Sequence, residues 1–183
     1  MLRLAAAAHR RGRLRVRVSI VSLPLRLAAA GAAVLLVLPA AAQARRNPVN
    51  SPLLWATINV CDSPKHPDTI GVRGSMPGTG SRGQRMYMRV RLEYFDGDAQ
   101  TWRLVGRDGD SHRFYVGAST HRVRQGGMSF AFAPPVLLRG RVTFEWRRGR
   151  RIIYSAEKLT EAGHTEVAQG DPPGFSAGEC ELK

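Results

Sequence analysis

The stretch that decides the fold is Leu-Arg-Gly-Arg-Val-Thr-Phe-Glu-Trp, residues 138–146. Apolar residues and one glycine occupy its even positions, while arginine, threonine and glutamate occupy its odd positions. Strict alternation of this length is typical of a β-strand with one buried and one exposed face. A helix would place Arg141, Phe144 and Glu145 on one face, which is incompatible with burial of that face. We therefore predict a strand here and interpret the neighbouring sequence around it.

Other segments show similar alternation or the β-branched and aromatic composition of strands. In the longest, residues 86–95, the even positions from Met86 to Tyr94 are expected to face inward. In residues 101–105, Trp102 and Leu104 are expected to be buried. Residues 152–159 fit a strand or a short helix, and we favour the strand. The remaining predicted strands are residues 54–60, 69–74 (a short edge strand), 114–116, 122–124, 128–132 and 175–182.

Turn residues separate these segments, and no segment is a convincing helix. Gly-rich residues 75–83 and polar residues 161–174 are predicted to be loops. Short strands at a spacing of about 8–12 residues are typical of an antiparallel sandwich. We therefore predict an all-β protein, an antiparallel β-sandwich of about eight strands that covers residues 54–183.

The predicted domain resembles an immunoglobulin-like or fibronectin-type-III-like sandwich over residues 54–182. The resemblance rests on the strand number, the alternation and Trp102 in an early-middle strand. Met88 and Phe144 stand in the long strands, where immunoglobulin domains carry their inter-sheet cysteines. The segments Trp-Ala-Thr-Ile-Asn-Val-Cys and Gly-Phe-Ser-Ala-Gly-Glu-Cys also resemble parts of uncharacterised exported bacterial proteins. That resemblance implies export from a bacterium and no particular activity.

The N-terminus has the plan of a secretory signal peptide. Residues 1–44 carry seven arginines and no acid, and their apolar run, residues 27–42, ends at the small-x-small site Ala42-Gln43-Ala44. We predict cleavage after Ala44, a flexible leader at residues 45–53, and a secreted or extracytoplasmic protein. A retained anchor is the alternative, but a spanning helix needs about 20 apolar residues. This run is shorter and contains Pro39.

The charge of the chain is strongly positive, at +14 for 183 residues. Seven of the 28 basic residues lie in residues 1–44, which leaves 21 basic against 14 acidic residues, a net charge of +7. A moderately basic exported domain attracts phosphate or carboxylate polymers over long range. Genome composition is an alternative origin of this arginine excess.

Cys61 and Cys180 are the only cysteines and lie near the two ends of the predicted domain. In an exported protein an even pair indicates one structural disulfide. We expect it to join a first and a last strand that lie side by side. A metal pair or a reactive thiol is the alternative, but zinc sites use local pairs such as Cys-x-x-Cys, which this sequence lacks.

Two groups of acidic residues are candidates for a metal site, but turns explain them more simply. Asp62, His66 and Asp68 lie close together in a proline-containing loop, where aspartate favours turns. The Asp-Gly-Asp sequences at residues 96–98 and 108–110 could together hold calcium, but they lack the later acidic ligand of a helix–loop–helix site. We predict no metal and no cofactor.

No arrangement in the sequence points to catalysis. A Gly-x-Ser-x-Gly elbow is absent, and the histidines are isolated. Glu93 and Glu145 stand beside arginines on exposed strand positions, where cross-strand ion pairs account for them. We predict a protein that is not an enzyme. The alternative is an extracytoplasmic hydrolase that uses the loop at residues 75–83 with His66 or His112.

Arginines recur on the outward positions of the two long strands. Such rows suit phosphate or carboxylate polymers, whereas a purely solvated face, or two rows split between different sheets, are the alternatives. Few exposed aromatic residues are expected, so nucleic acid is not a predicted partner. We predict a non-catalytic binding or structural module of the cell envelope or medium, without a stable transmembrane anchor, whose partner is an anionic envelope polymer or another protein. The candidate polyanion face consists of Arg89, Arg91, Arg139, Arg141 and Arg147.

We expect the mature protein to begin at Arg45, because the signal sequence predicts cleavage after Ala44. Amino-terminal sequencing of the exported protein checks this, and an intact mass that includes residues 27–42 would instead demonstrate a retained anchor. Translation from Val18 or Val21 is an alternative start. A precursor peptide that spans Ser19 and residues upstream of Val18 would exclude that alternative.

Overall fold

The computed structural model describes residues 47–183, which form nine β-strands and two short 3-10 turns. The signal peptide predicted for residues 1–44 and its cleavage site lie outside the described residues. No helix in the described part of the chain is long and apolar enough to cross a membrane. The strands are β1 (Trp55–Ser63), β2 (His66–Met76), β3 (Arg85–Asp96), β4 (Thr101–Leu104), β5 (Asp110–Ala118), β6 (Arg124–Ala131), β7 (Val136–Arg148), β8 (Arg151–Leu159) and β9 (Glu179–Leu182), and the 3-10 turns are Pro48–Asn50 and Arg107–Gly109.

The strands form two antiparallel sheets, which confirms the all-β sandwich. Sheet A has the order β1-β2-β6. Sheet B is built on β3 and β7. The other edge of β3 pairs first with β5 and then with β4, and the other edge of β7 pairs with β9 and then with β8. The segment at residues 152–159 is a strand, as favoured from the sequence, and belongs to β8.

Strand β7 contains the segment that decides the fold, and its alternation is confirmed. The even residues Leu138, Val142, Phe144 and Trp146 are buried, while the odd residues point to the opposite face of sheet B. Strand β7 pairs with β3 over ten consecutive residues, so two amphipathic strands align their buried faces. Gly140 fits this layer because an added Cβ would lie 2.8 Å from the methyl group of Thr160.

The core lies between the two sheets and contains side chains from both. Ile58 and Val72 of sheet A share one buried cluster with Met88 and Phe144 of sheet B. The sheets approach so closely that a Cβ at Gly74 would lie 2.9 Å from the Phe144 ring. Full burial of a large apolar side chain stabilises a fold by about 1.5–3 kcal/mol. The interlocking of the two inner faces is therefore the main source of stability.

Two predicted strands of sheet A have different bounds in the structure. Strand β2 is not a short edge strand but the central strand of sheet A, with β1 on one side and β6 on the other. It is longer than predicted because a tight turn after Ser63 lets His66 pair with Ser63. Instead of the two strands predicted at residues 122–124 and 128–132, the structure has the single strand β6, which begins at Arg124 and ends at Ala131. Gly127 indicates a turn by composition, but a Cβ there would lie 2.2 Å from the Val72 carbonyl oxygen. Close strand approach therefore explains this glycine.

Two further predictions about strands are wrong. Trp102 and Leu104 do not face the core, since they pair with Phe95 and Glu93 on the outer parity of β3. Leu104 is 51% exposed. The closing strand begins at Glu179, because the chain from residue 175 to 178 crosses to sheet A, where Ala177 exchanges backbone hydrogen bonds with Ile58.

Residues 161–178 form a covering segment over the outer face of sheet A. Asn59 donates from Nδ2 to the Gln169 carbonyl at 2.7 Å, and the Thr57 hydroxyl donates to the Ala177 carbonyl at 3.1 Å. Gln125 donates to the Glu166 carbonyl at 2.6 Å. These bonds explain why polar residues of β1 are buried without loss of hydrogen bonding. The outer face of sheet A is consequently occupied by the chain itself.

Cys61 and Cys180 form a disulfide, as predicted, with their Cα atoms 5.6 Å apart. The first and last strands, β1 and β9, contact each other as expected, but they belong to different sheets. Strand β1 belongs to sheet A, whereas β9 pairs with β7 in sheet B. The bond therefore links the two layers of the sandwich across the core.

Replacing both cysteines by alanine is expected to lower the free energy of unfolding by about 4–5 kcal/mol. The chain-entropy model gives this value for a closed loop with a sequence separation of 119. Urea denaturation of the double variant and of the native protein, both without reductant, measures the change. Equal transition midpoints, or free thiols titrated in the intact native protein, would contradict the stabilising role of the bond.

Candidate functional site

The outer face of sheet B is exposed and carries most of the charged strand residues. Because β3 and β7 are neighbours, their outward positions form one continuous surface, and the alternative that splits the rows between sheets is wrong. Strands β5 and β8 extend this surface on either side. Strand β9 adds two further outward positions beside β7. We name this surface the arginine face: it carries the seven arginines Arg85, Arg89, Arg91, Arg113, Arg139, Arg141 and Arg147 and the six carboxylates Glu93, Asp110, Glu145, Glu157, Glu179 and Glu181.

Glu93 lies at the centre of an ion-pair chain on the arginine face. Arg139 and Arg141 each donate from Nε to one of its carboxylate oxygens at 2.7 Å. Arg141 also donates to Glu157 at 2.5 Å, and Arg91 donates to the second oxygen of Glu157 at 2.8 Å. Three arginines and two glutamates therefore form an uninterrupted chain across β3, β7 and β8.

Glu93 was expected on a solvated position, but it is only 5% exposed. Burial raises the pKa of its carboxyl, but hydrogen bonds and positive charge from Arg141 and Arg139 outweigh burial. The pKa of Glu93 consequently lies below its ordinary value. The carboxylate remains ionised and fixes both guanidinium groups in place.

Two further ion-pair groups occupy the β5 side of the face. Arg89 binds Asp110 through two hydrogen bonds, of which the Nε bond measures 2.9 Å. Glu145 accepts from Arg147 at 2.8 Å and lies 3.8 Å from Arg113. The side-chain hydrogen bonds from Arg89 are the largest cause that lowers the pKa of Asp110 to about 2.

Aromatic rings lie at both ends of the arginine face. The Arg139 guanidinium lies 4.2 Å above the centroid of Trp102, whose ring packs edge-on against Phe95. At the other end, Tyr87 packs against Tyr115, with their centroids 5.6 Å apart. From the sequence, few exposed aromatic residues were expected. Trp102 and Tyr115 were missed because their positions depend on the pairing of β4 and β5 with β3.

All five arginines predicted for a polyanion face lie on this one surface, and each pairs with a carboxylate of the protein. Seven arginines against six carboxylates leave an excess of one positive charge. A guanidinium has five N–H donors, and the intramolecular bonds use only some of them. The arrangement thus holds partly exposed donors in fixed positions, which is what recognition of carboxylate or phosphate groups requires.

The residues considered for a hydrolase do not form a nucleophile–base pair. Ser63 donates its hydroxyl hydrogen bond to Asp171, and Nε2 of His66 lies 4.0 Å from the same carboxylate oxygen. The carboxylate therefore stands between serine and histidine, whereas a catalytic triad needs histidine between them. His112 lies at the start of β5 on the arginine face, where its backbone N–H donates to Asp110.

Three of the aspartates considered as metal ligands, namely Asp62, Asp96 and Asp110, are bound within the protein. Asp62 accepts from the backbone N–H groups of Asp68 and Lys183 at 2.9 and 3.3 Å. Asp96 accepts from two backbone N–H groups of its own turn and pairs with Arg103. Within residues 47–183, no cluster of three histidine, cysteine, aspartate or glutamate side chains has the geometry of a metal site.

Replacing Asp110 by asparagine is expected to flatten the acid side of the stability curve. The pKa of Asp110 in the folded protein, about 2, lies below the value of about 3.9 for an unfolded chain. Its ion pair therefore stabilises the fold above about pH 4, and this contribution disappears as the pH falls towards 2. Urea denaturation between pH 2 and pH 6 measures the effect. The control variant Asp98→Asn, which removes the same charge from an exposed turn, should retain the native slope.

Comparison with known proteins supplies no family for this chain. No protein-family model matches it, and no curated protein is similar to it at a significant level. Inference about function therefore rests on the residues and geometry of the chain itself.

Proposed function

We propose that this chain is an exported, non-catalytic β-sandwich module of the cell envelope or medium whose arginine face binds an anionic polymer. The observation that carries the proposal is the pairing of β3 with β7, which places the arginines of both strands on one exposed surface. Export and an immunoglobulin-like or fibronectin-type-III-like topology are parts of the same proposal. The inter-sheet disulfide supports export, because such bonds persist in oxidising compartments.

The shape of the arginine face favours a polymer over a small ligand. The β3–β7 pairing runs for ten residues, which corresponds to about 30 Å at 3.4 Å per residue. Guanidinium groups recur along this length on both strands. Several anionic groups of one extended chain can therefore be bound at once, and individually weak contacts then combine through their high effective concentration.

The chemistry of the face favours carboxylated polysaccharides among anionic polymers. Arginine matches carboxylate geometry with two parallel hydrogen bonds, and rings such as Tyr115, which is 56% exposed, offer apolar contact to a sugar ring. The net charge of +7 calculated for residues 45–183 attracts the polymer over long range. Sheet A offers no comparable surface, because residues 161–178 cover it.

The double variant Arg85→Gln/Arg113→Gln is expected to bind polygalacturonate about tenfold more weakly than the native protein. Each exposed ion pair contributes up to about 1 kcal/mol to the binding free energy. The loss of two such pairs adds in free energy, so the two reductions in affinity multiply. Neither residue holds the buried Glu93, so the fold should be unaffected. Isothermal titration and salt elution from immobilised polygalacturonate measure the loss.

The matched control is Arg82→Gln/Arg122→Gln, which removes two exposed arginines from loops outside the arginine face. It should retain nearly native affinity. An equal loss in both double variants would show that net charge alone drives binding, and absence of binding by the native protein at low salt would refute the proposal.

A further inference from the structure

A pocket opens in the arginine face where β3 changes partners. Strand β4 pairs with β3 from Glu93 to Asp96, and β5 pairs with it from Arg85 to Arg91. Between these partners the chain leaves the sheet through the 3-10 turn Arg107–Gly109. The resulting pocket has a volume of about 300 Å³ and is lined by Arg89, Arg91, Leu104, Gly106, Arg107, Asp110 and His112.

The pocket carries more positive charge than the protein itself neutralises. Its lining has three arginines. Arg89 is bound by Asp110, which also lines the pocket, and Arg91 is bound by Glu157. Arg107 forms no ion pair within the described residues. The Nε group of Arg91 is buried, so it is closed to a ligand as well as to water. The positive charge left for an anionic group in the pocket is therefore that of Arg107.

The local backbone has irregularities of the kind that accompany binding sites. The pairing of β3 with β5 shifts register between Arg89 and Arg91, as in a β-bulge, and bulges are frequent beside functional sites. His112 adopts a positive φ of 53°, which is uncommon for residues other than glycine. The surrounding hydrogen bonds, including that from the His112 N–H to Asp110 at 2.8 Å, maintain this conformation.

The pocket also has an apolar surface, which a bare phosphate or sulfate ion would leave unused. The Leu104 side chain is half exposed, and Gly106 presents backbone without a side chain. A volume of about 300 Å³ is at the lower limit of ligand pockets. A single sugar ring that carries a carboxylate combines the required anion, an apolar ring face and a suitable size.

We infer that this pocket is a subsite for one carboxylated sugar unit, with Arg107 as the carboxylate donor and Leu104 beneath the ring. The inference rests on the proposed function and deepens it. The open face attracts the polymer, and the pocket distinguishes a carboxylated sugar unit from a neutral one.

The test is a titration of the full mature protein with trigalacturonate. Isothermal calorimetry measures the affinity, and amide chemical shifts locate the binding site. Native protein should bind trigalacturonate and not its methyl ester, with shifts at the Gly106 and His112 amides. The variant Arg107→Gln should bind about tenfold more weakly, because a charge-assisted hydrogen bond is lost. Its matched control, Arg150→Gln in the exposed turn between β7 and β8, should bind as the native protein does.

The outcomes separate the two proposals. Native-like binding of trigalacturonate by Arg107→Gln, or shifts that avoid Gly106 and His112, overturns the subsite while polygalacturonate binding by the arginine face stands. If the native protein binds neither trigalacturonate nor polygalacturonate, both the subsite and the proposed function fail. Far-ultraviolet dichroism and urea midpoints establish that the variants fold.

Discussion

The antiparallel pairing of β3 with β7 is the constraint on which the rest of the structure depends. It aligns ten residues of two alternating strands, so their apolar positions form one side of the core and their charged positions form one exposed surface. A shift of one residue in either strand would exchange the two faces. The buried aromatic layer of Phe144 and Trp146 excludes that exchange, because no charged residue could replace it in the core. Core packing and surface charge are thus two results of one register.

Much of the fold was predictable because period-two alternation survives in single strands. The segment at residues 138–146 was assigned correctly for this reason, and so was the disulfide, since only two cysteines exist. The predictions were wrong where the role or the burial of a residue depends on the strand beside it. Gly127 is a glycine because of the Val72 carbonyl, and Leu104 is exposed because it lies opposite Glu93. Neither relation leaves a local signal in the sequence.

The candidate site shows the same limit. The five arginines could be placed on outward positions from alternation alone, but which carboxylates hold them depends on long-range pairing. Glu93 illustrates this, because its burial follows from two arginines 46 and 48 residues away along the chain. The pocket beside Arg107 was not predictable at all. It results from the change of partner from β5 to β4 along one edge of β3, and the sequence of β3 contains no pattern that predicts this change.

The covalent bond between the layers has a consequence for mechanical load. Cys61 and Cys180 lie close to the two ends of the described chain and are separated by 119 positions. A pulling force applied at the ends of the domain passes through the sulfur–sulfur bridge and bypasses the residues enclosed by it. Tension then reaches only the residues outside the ring, which include residues 55–60 of β1, while strands β2 to β8 lie inside it. In oxidising surroundings these seven strands are therefore protected from unravelling one by one under tension.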